Sequence, residues 1–171
     1  MADPVGDGVR DDVDGIVLAW RRERPDLDVS PLEVLSRVSR LARHLDIARR
    51  HAFDQWGLAA WEFDVLSALR RSGEPYQLSA GELVRETLVT SGTMTNRIDR
   101  LVAREMVARS PSPSDRRTVL ISLTAHGREA VDGALADLVD DERELLAGLT
   151  PQECTTMADS LRRLLGRFEQ G

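Results

Sequence analysis

The chain has 171 residues, 42% of them hydrophobic and 30% charged, which is enough for one substantial core and too apolar for a disordered segment. It contains no apolar run of about eighteen residues, so a membrane span is excluded. The formal net charge of -6 argues against a uniformly basic nucleic-acid binder, yet only the face that meets phosphates has to be positive. Cys154 is the sole cysteine and has no internal disulfide partner, in keeping with a reducing compartment. All 23 basic residues are arginine, which we read as the codon bias of a GC-rich bacterial genome. The start, MADPVGDGVRDDVDG, lacks the basic and apolar parts of a signal peptide, so a cytoplasmic location is expected.

In chain order, GIVLAWRRERP reads as a short helix ended before Pro25. Ser30-Pro31-Leu32-Glu33 combines an N-cap serine, a proline at the first helical position and a glutamate placed for a capping box, so a long helix should start there. Leu32, Leu35, Val38, Leu41, Leu45, Ala48 and Ala52 continue it as one apolar stripe that needs a long partner. WEFDVLSALRR, 61–71, is the next helix, stopped at Gly73 and Pro75. A second capping box, Ser79 to Glu82, opens a short helix, and after a break at 87–89 the segment TSGTMTNRIDRLVARE is helical again. Two short helices across a tight break suggest helix-turn-helix. MVARS and TVLISL are β-type runs flanking PSPSDRR, hence a hairpin with a basic tip. Thr124 caps another long helix, striped by Ala130, Val131, Ala134, Leu135, Leu138, Val139, Leu145 and Leu146. Thr150 to Glu153 is a third capping box, before a last helix striped by Met157, Leu161, Leu164, Leu165 and Phe168. Long terminal helices around a small domain leave apolar surface bare in a monomer, and dimerisation through them is the remedy.

The pattern is therefore mostly α with a small β-hairpin wing. Residues 1–29 form an N-terminal extension, 30–57 and 124–171 the dimerisation helices, and 58–123 a winged helix-turn-helix lobe. In the second helix of that motif Met94, Ile98, Leu101 and Val102 form the buried side. Thr90, Ser91, Thr93, Thr95, Asn96, Arg97 and Arg100 are left to face a major groove, whose base edges a recognition helix reads from its N-terminal part. The alternative is an ordinary solvated helix. Arg116 and Arg117 at the hairpin tip suit the negative potential of a minor groove, and Asp115 either holds the turn or orients one arginine.

Asp115, Arg117, Leu123, Thr124 and Gly127 fit D-x-R-x5-L-T-x-x-G, and with TSGTMTNRIDRLVAREMV before them the chain resembles the multiple-antibiotic-resistance regulator (MarR) family over about residues 30–168. The resemblance implies a homodimeric transcription regulator, most often a repressor, on a palindromic duplex DNA operator. One departure is Glu105, where the family usually has glycine: either a left-handed non-glycine residue or a different helix ending is required there.

The chain is similar in particular to the urate-responsive PecS/HucR-like group, which carries an extra N-terminal helix with a tryptophan, a position that Trp20 fits. That resemblance implies a small-molecule effector site of Trp20, Asp64, Arg97 and Arg109. Its aromatic face and two guanidinium groups suit a flat anion such as urate or a related purine, although two arginines would equally take citrate or trans-aconitate. Because Arg97 belongs to both sites, an effector could draw the recognition helix from DNA. The competing explanation is that Trp20 packs the extension and that Asp64 and the arginines pair structurally. His44, His51 and His126 form no dense ligand cluster, so no structural metal is expected, and no nucleophile–base pair, phosphate loop or carboxylate dyad points to an enzyme. A helical interaction module without DNA binding is the alternative of a different class.

Overall fold

The computed structural model describes residues 10–113, 115 and 117–168. Arg116, assigned above to the wing, lies outside the described residues. The chain divides into two compact units at residues 47 and 48.

The first unit holds α1 (Asp12–Glu23) and most of α2 (Pro31–Gln55). Asp11 caps α1, its carboxylate accepting from the Val13 N–H at 2.8 Å. Val13, Val17 and Val29 close a small core with Leu32. Around it Arg37 reaches both Asp11, at 2.9 Å, and Asp14, at 2.8 Å. The helix starts at Pro31 as the sequence predicts, but the capping box expected from Glu33 is not made: that carboxylate accepts from Arg21, and Asp28 takes the Ser30 N–H at 3.0 Å. Arginine competes better for an exposed glutamate than one backbone amide does, since both partners are then charged. Along α2 the apolar stripe is open, with Leu35 54% and Leu41 44% exposed.

The second unit contains the end of α2, then α3 (Ala60–Arg71), β1 (Gln77–Ser79), α4 (Ala80–Thr87), α5 (Ser91–Ala103), β2 (Val107–Pro111), β3 (Val119–Leu123), α6 (Ala125–Leu146) and α7 (Pro151–Leu165). Its core is built on α3, where Val65, Leu66, Ala68 and Leu69 are buried, and is joined by Leu83, Met94, Ile98, Leu101, Ile121, Val131 and Ala134. Phe53 and Phe63 stack within it, with ring centroids 4.1 Å apart. The hairpin expected from sequence is the larger part of a three-stranded antiparallel sheet in the order β1-β3-β2. Ala108 and Gln77 both face Ser122 in the register, which makes β3 central. β1 escaped the sequence reading because it is three residues long and runs straight into Ser79, whose hydroxyl accepts from the Glu82 N–H while Glu82 takes the Ser79 N–H at 2.7 Å.

Trp56 lies across Gly133, where an added Cβ would sit 2.1 Å from the ring, and its indole N–H donates to Asp137 at 2.7 Å. Asp137 thus has a structural role. No residue of α7 is buried; its stripe is open to solvent and ends at Phe168, 83% exposed. No helix among the described residues is long and apolar enough to cross a membrane.

Candidate nucleic-acid interface and effector clefts

Leu88, in the left-handed region at φ 53°, ends α4 and turns the chain into α5. Thr90 caps α5 by accepting from the Thr93 N–H, and its own hydroxyl donates to the Thr93 hydroxyl at 2.9 Å. The cap aims the first turn outward: Ser91, Thr93, Thr95 and Asn96 are exposed, while Met94, Ile98 and Leu101 are buried beneath them. The Thr95 hydroxyl donates to the Ser91 carbonyl at 3.1 Å.

The far end of α5 closes as a Schellman motif. The Met106 N–H donates to the Leu101 carbonyl at 3.0 Å and the Glu105 N–H to Val102 at 2.9 Å, with Leu101 and Met106 both buried. Glu105 sits at φ +56°. The family's usual glycine is absent, yet the left-handed geometry that favours glycine is kept. The Met106 carbonyl then accepts from the Thr124 N–H at 3.1 Å and from its hydroxyl at 3.0 Å, and Thr124 accepts from the Gly127 N–H at 3.0 Å. A Cβ on Gly127 would lie 2.1 Å from that carbonyl. The L-T-x-x-G part of the signature is therefore a weld between the end of α5 and the start of α6.

At the wing tip Asp115 holds the turn. Its carboxylate accepts from the Arg117 N–H at 3.0 Å and from the Thr118 hydroxyl at 2.9 Å. These bonds hold it below the ordinary aspartate range, the Arg117 N–H contributing most. Residues 91–118 carry six arginines against three acidic residues, in a chain whose net charge is -6, so positive charge is concentrated in this stretch of the sequence.

Of the four residues assigned to an effector, the three in the second unit occupy separate surroundings. Trp20 lies in the first unit, 49% exposed. Asp64 lines a cleft of about 240 Å³ with Ser67, Arg71, Glu86, Thr87 and Leu88. Arg97 lines another of about 430 Å³ with Trp61, Gly92, Thr93, Asn96 and Arg100. Arg109, on β2, is ion-paired to Asp99 at 2.5 Å. Trp61 and Asp64 stand one turn apart on α3, so the two clefts share a wall.

Sequence reasoning missed two contacts to α5. The Arg100 guanidinium lies 4.8 Å and that of Arg97 5.5 Å from the Trp61 ring centroid. Arg104 donates to the buried Glu62 at 2.6 Å and to the Gly57 carbonyl at 2.9 Å, while Glu62 also takes the Ala59 N–H at 2.9 Å. Arg97, Arg100 and Arg104 fall at i, i+3 and i+7, a stripe readable from the helical period; its partners Trp61 and Glu62 required the tertiary fold.

A MarR family profile matches residues 56–118. The transcriptional regulator PecS of Dickeya dadantii is 39% identical over 159 residues, 93% of either chain. Among solved structures, Bordetella bronchiseptica BpsR, described as having its DNA binding regulated by 6-hydroxynicotinic acid, is 32% identical, with a TM-score of 0.57 over 74% of this chain and 91% of its own. AbsC of Streptomyces coelicolor, a MarR family regulator, shares the fold at 20% identity, with a TM-score of 0.72 over 85% of this chain and 99% of its own. With identity of that order across nearly its whole length, a capped recognition helix and an Asp-fastened wing, this chain belongs to the MarR family of winged helix-turn-helix transcriptional regulators, in its PecS-like branch.

Proposed function

We propose that the protein is a repressor that binds a palindromic operator as a homodimer and is released from it by a small anionic ligand. The observation that carries the reading is the Met106–Thr124–Gly127 weld, which ties the end of α5 to the start of α6 across the base of the wing and so supports α5 and the wing acting together on DNA. In this reading residues 58–123 form the DNA-binding lobe, with Thr90, Ser91, Thr93, Thr95, Asn96, Arg97 and Arg100 toward the major groove and Asp115, Arg116 and Arg117 toward the minor groove. Residues 30–57 and 124–171 form the dimerisation helices and 1–29 an N-terminal extension. Dimerisation is supported by the open stripes of α2 and α7, which a second copy would cover.

The effector reading assigns Trp20, Asp64, Arg97 and Arg109, and it favours urate or a related flat heterocyclic anion. The alternative, citrate or trans-aconitate, has less support: BpsR, 32% identical, is regulated by 6-hydroxynicotinic acid, itself a flat heterocyclic anion. Arg97 stands beside Thr93 and Asn96 in the same cleft, so a ligand that draws its guanidinium away disturbs the recognition helix and weakens DNA binding by linkage.

The test is a gel-shift titration on the gene's own upstream intergenic duplex and on a control duplex at fixed salt, followed by addition of urate, xanthine, 6-hydroxynicotinate, citrate or trans-aconitate. Release by a heterocyclic anion, lost in Arg97→Ala and in Trp20→Ala, supports the reading. Release by citrate or trans-aconitate alone transfers it to the tricarboxylates, and specific binding that no ligand affects removes the sensor.

A further inference from the structure

The two arginines over Trp61 are held differently from Arg104 and Arg109. Arg109 pairs with Asp99 and Arg104 with Glu62, so the charge of each is met by a carboxylate. Arg97 and Arg100 rest on a ring. A guanidinium stacked by its face keeps its in-plane N–H donors for a second partner and keeps its full charge. It also surrenders side-chain freedom before the partner arrives, which lowers the cost of binding. Both arginines share a flank of α5 with Thr93 and Asn96 and line one open cleft with them. Arg100 stands nine residues beyond Ser91 on α5, roughly 13 Å along the axis, which is about the width of a major groove. If the first turn of α5 lies at the groove floor, the stacked pair lies at its rim, where phosphates are.

We propose that Trp61 is a positioning residue for DNA binding, its indole pre-ordering Arg97 and Arg100 to take phosphate oxygens at the groove edge. The inference rests on the DNA-binding reading above. Phosphate contacts carry no sequence information, so the contribution of the ring is equal on any duplex. From the ordinary cost of immobilising two rotamer-rich side chains on binding, which the ring removes in advance, replacing it with an aliphatic side chain lowers affinity about five- to a hundred-fold.

Fluorescence anisotropy on the upstream duplex and on a scrambled one, at one salt concentration, tests this with Trp61→Leu, Trp61→Phe and a double Arg97→Gln/Arg100→Gln chain that keeps Trp61. The expected result is a loss in Trp61→Leu of the same factor on both duplexes, largely recovered in Trp61→Phe. In the double-glutamine background Trp61→Leu has no further effect. A purely packing role for Trp61 would leave the Leu penalty intact in that background, and this result overturns the inference, as does wild-type affinity in Trp61→Leu. Circular dichroism reports whether Trp61→Leu folds. If it does not, the inference stands or falls on Trp61→Phe, the weaker cation–π partner: it must bind less tightly than wild type in the native background and equally in the double-glutamine one. Failure of the wild-type chain to bind either duplex overturns the DNA-binding reading itself, and this inference with it.

Discussion

Replacing Glu105 with glycine should stabilise the protein. Glu105 occupies φ +56° at the end of α5, where a Cβ crowds the neighbouring carbonyl at a cost of about 1–2 kcal/mol for an L-residue. The side chain is exposed and the backbone bonds of the motif, including the Thr124 hydroxyl on the Glu105 carbonyl at 2.8 Å, survive its removal. Glycine gives back part of the gain, roughly 0.5–1 kcal/mol, through the freedom it acquires in the unfolded chain. The net expectation is about 0.5–1 kcal/mol, or a rise of roughly 1–4 °C in Tm for a domain of this size. Urea and thermal unfolding followed at 222 nm, at one protein concentration, measure it. Glu105→Ala is the control: alanine keeps the Cβ and should show no comparable gain. Equal stabilisation by alanine and glycine, or none by glycine, would refute the argument from backbone strain.

Three further predictions follow from the same contacts. Gly127→Ala puts a Cβ against the Met106 carbonyl, which the Thr124 N–H and hydroxyl hold in place, and should cost about 2–3 kcal/mol in urea unfolding. Arg104→Ala leaves the buried Glu62 carboxylate with only the Ala59 N–H; because the arginine is 39% exposed, the loss should be about 1–3 kcal/mol, below the ~3–5 of a fully buried pair. Glu82 is held below the ordinary glutamate range by the Ser79 hydroxyl and then by the Ser79 N–H. Its unfolded form binds a proton first, so its contribution is present above pH ~4.3 and is lost as pH falls through the lower folded value. Stability measured from pH 6 down to pH 3 should therefore fall less steeply in Glu82→Gln than in wild type.

Most of this fold was legible because its signals are local. Serine or threonine followed three residues later by glutamate marked the starts of α4 and α7, and Thr124 marked α6. The exception is instructive: Ser30 to Glu33 has the same spelling, but Arg21 and Asp28, distant or outside the motif, divert its partners. β1 was too short to register and exists because β3 offers it an edge. The site was legible by type and less so by contact. The wing aspartate and the glycine at 127 were read from a pattern, whereas the reason for that glycine is a carbonyl twenty-one residues away in sequence. Trp61 and Glu62 looked like the ordinary first turn of a helix. Their partners on α5 are set by how α3 and α5 pack, which periodicity does not encode.

The central claim, that α5 and the wing form one DNA-reading surface, is tested most directly by competitive anisotropy of the upstream duplex against a scrambled duplex, comparing wild type with Asn96→Ala and Arg117→Glu. The account predicts a clear wild-type preference for the upstream duplex, reduced in Asn96→Ala while affinity for the scrambled duplex is kept, and a loss of affinity for both in Arg117→Glu. Equal wild-type affinity for the two duplexes, or indifference of both variants, would contradict it.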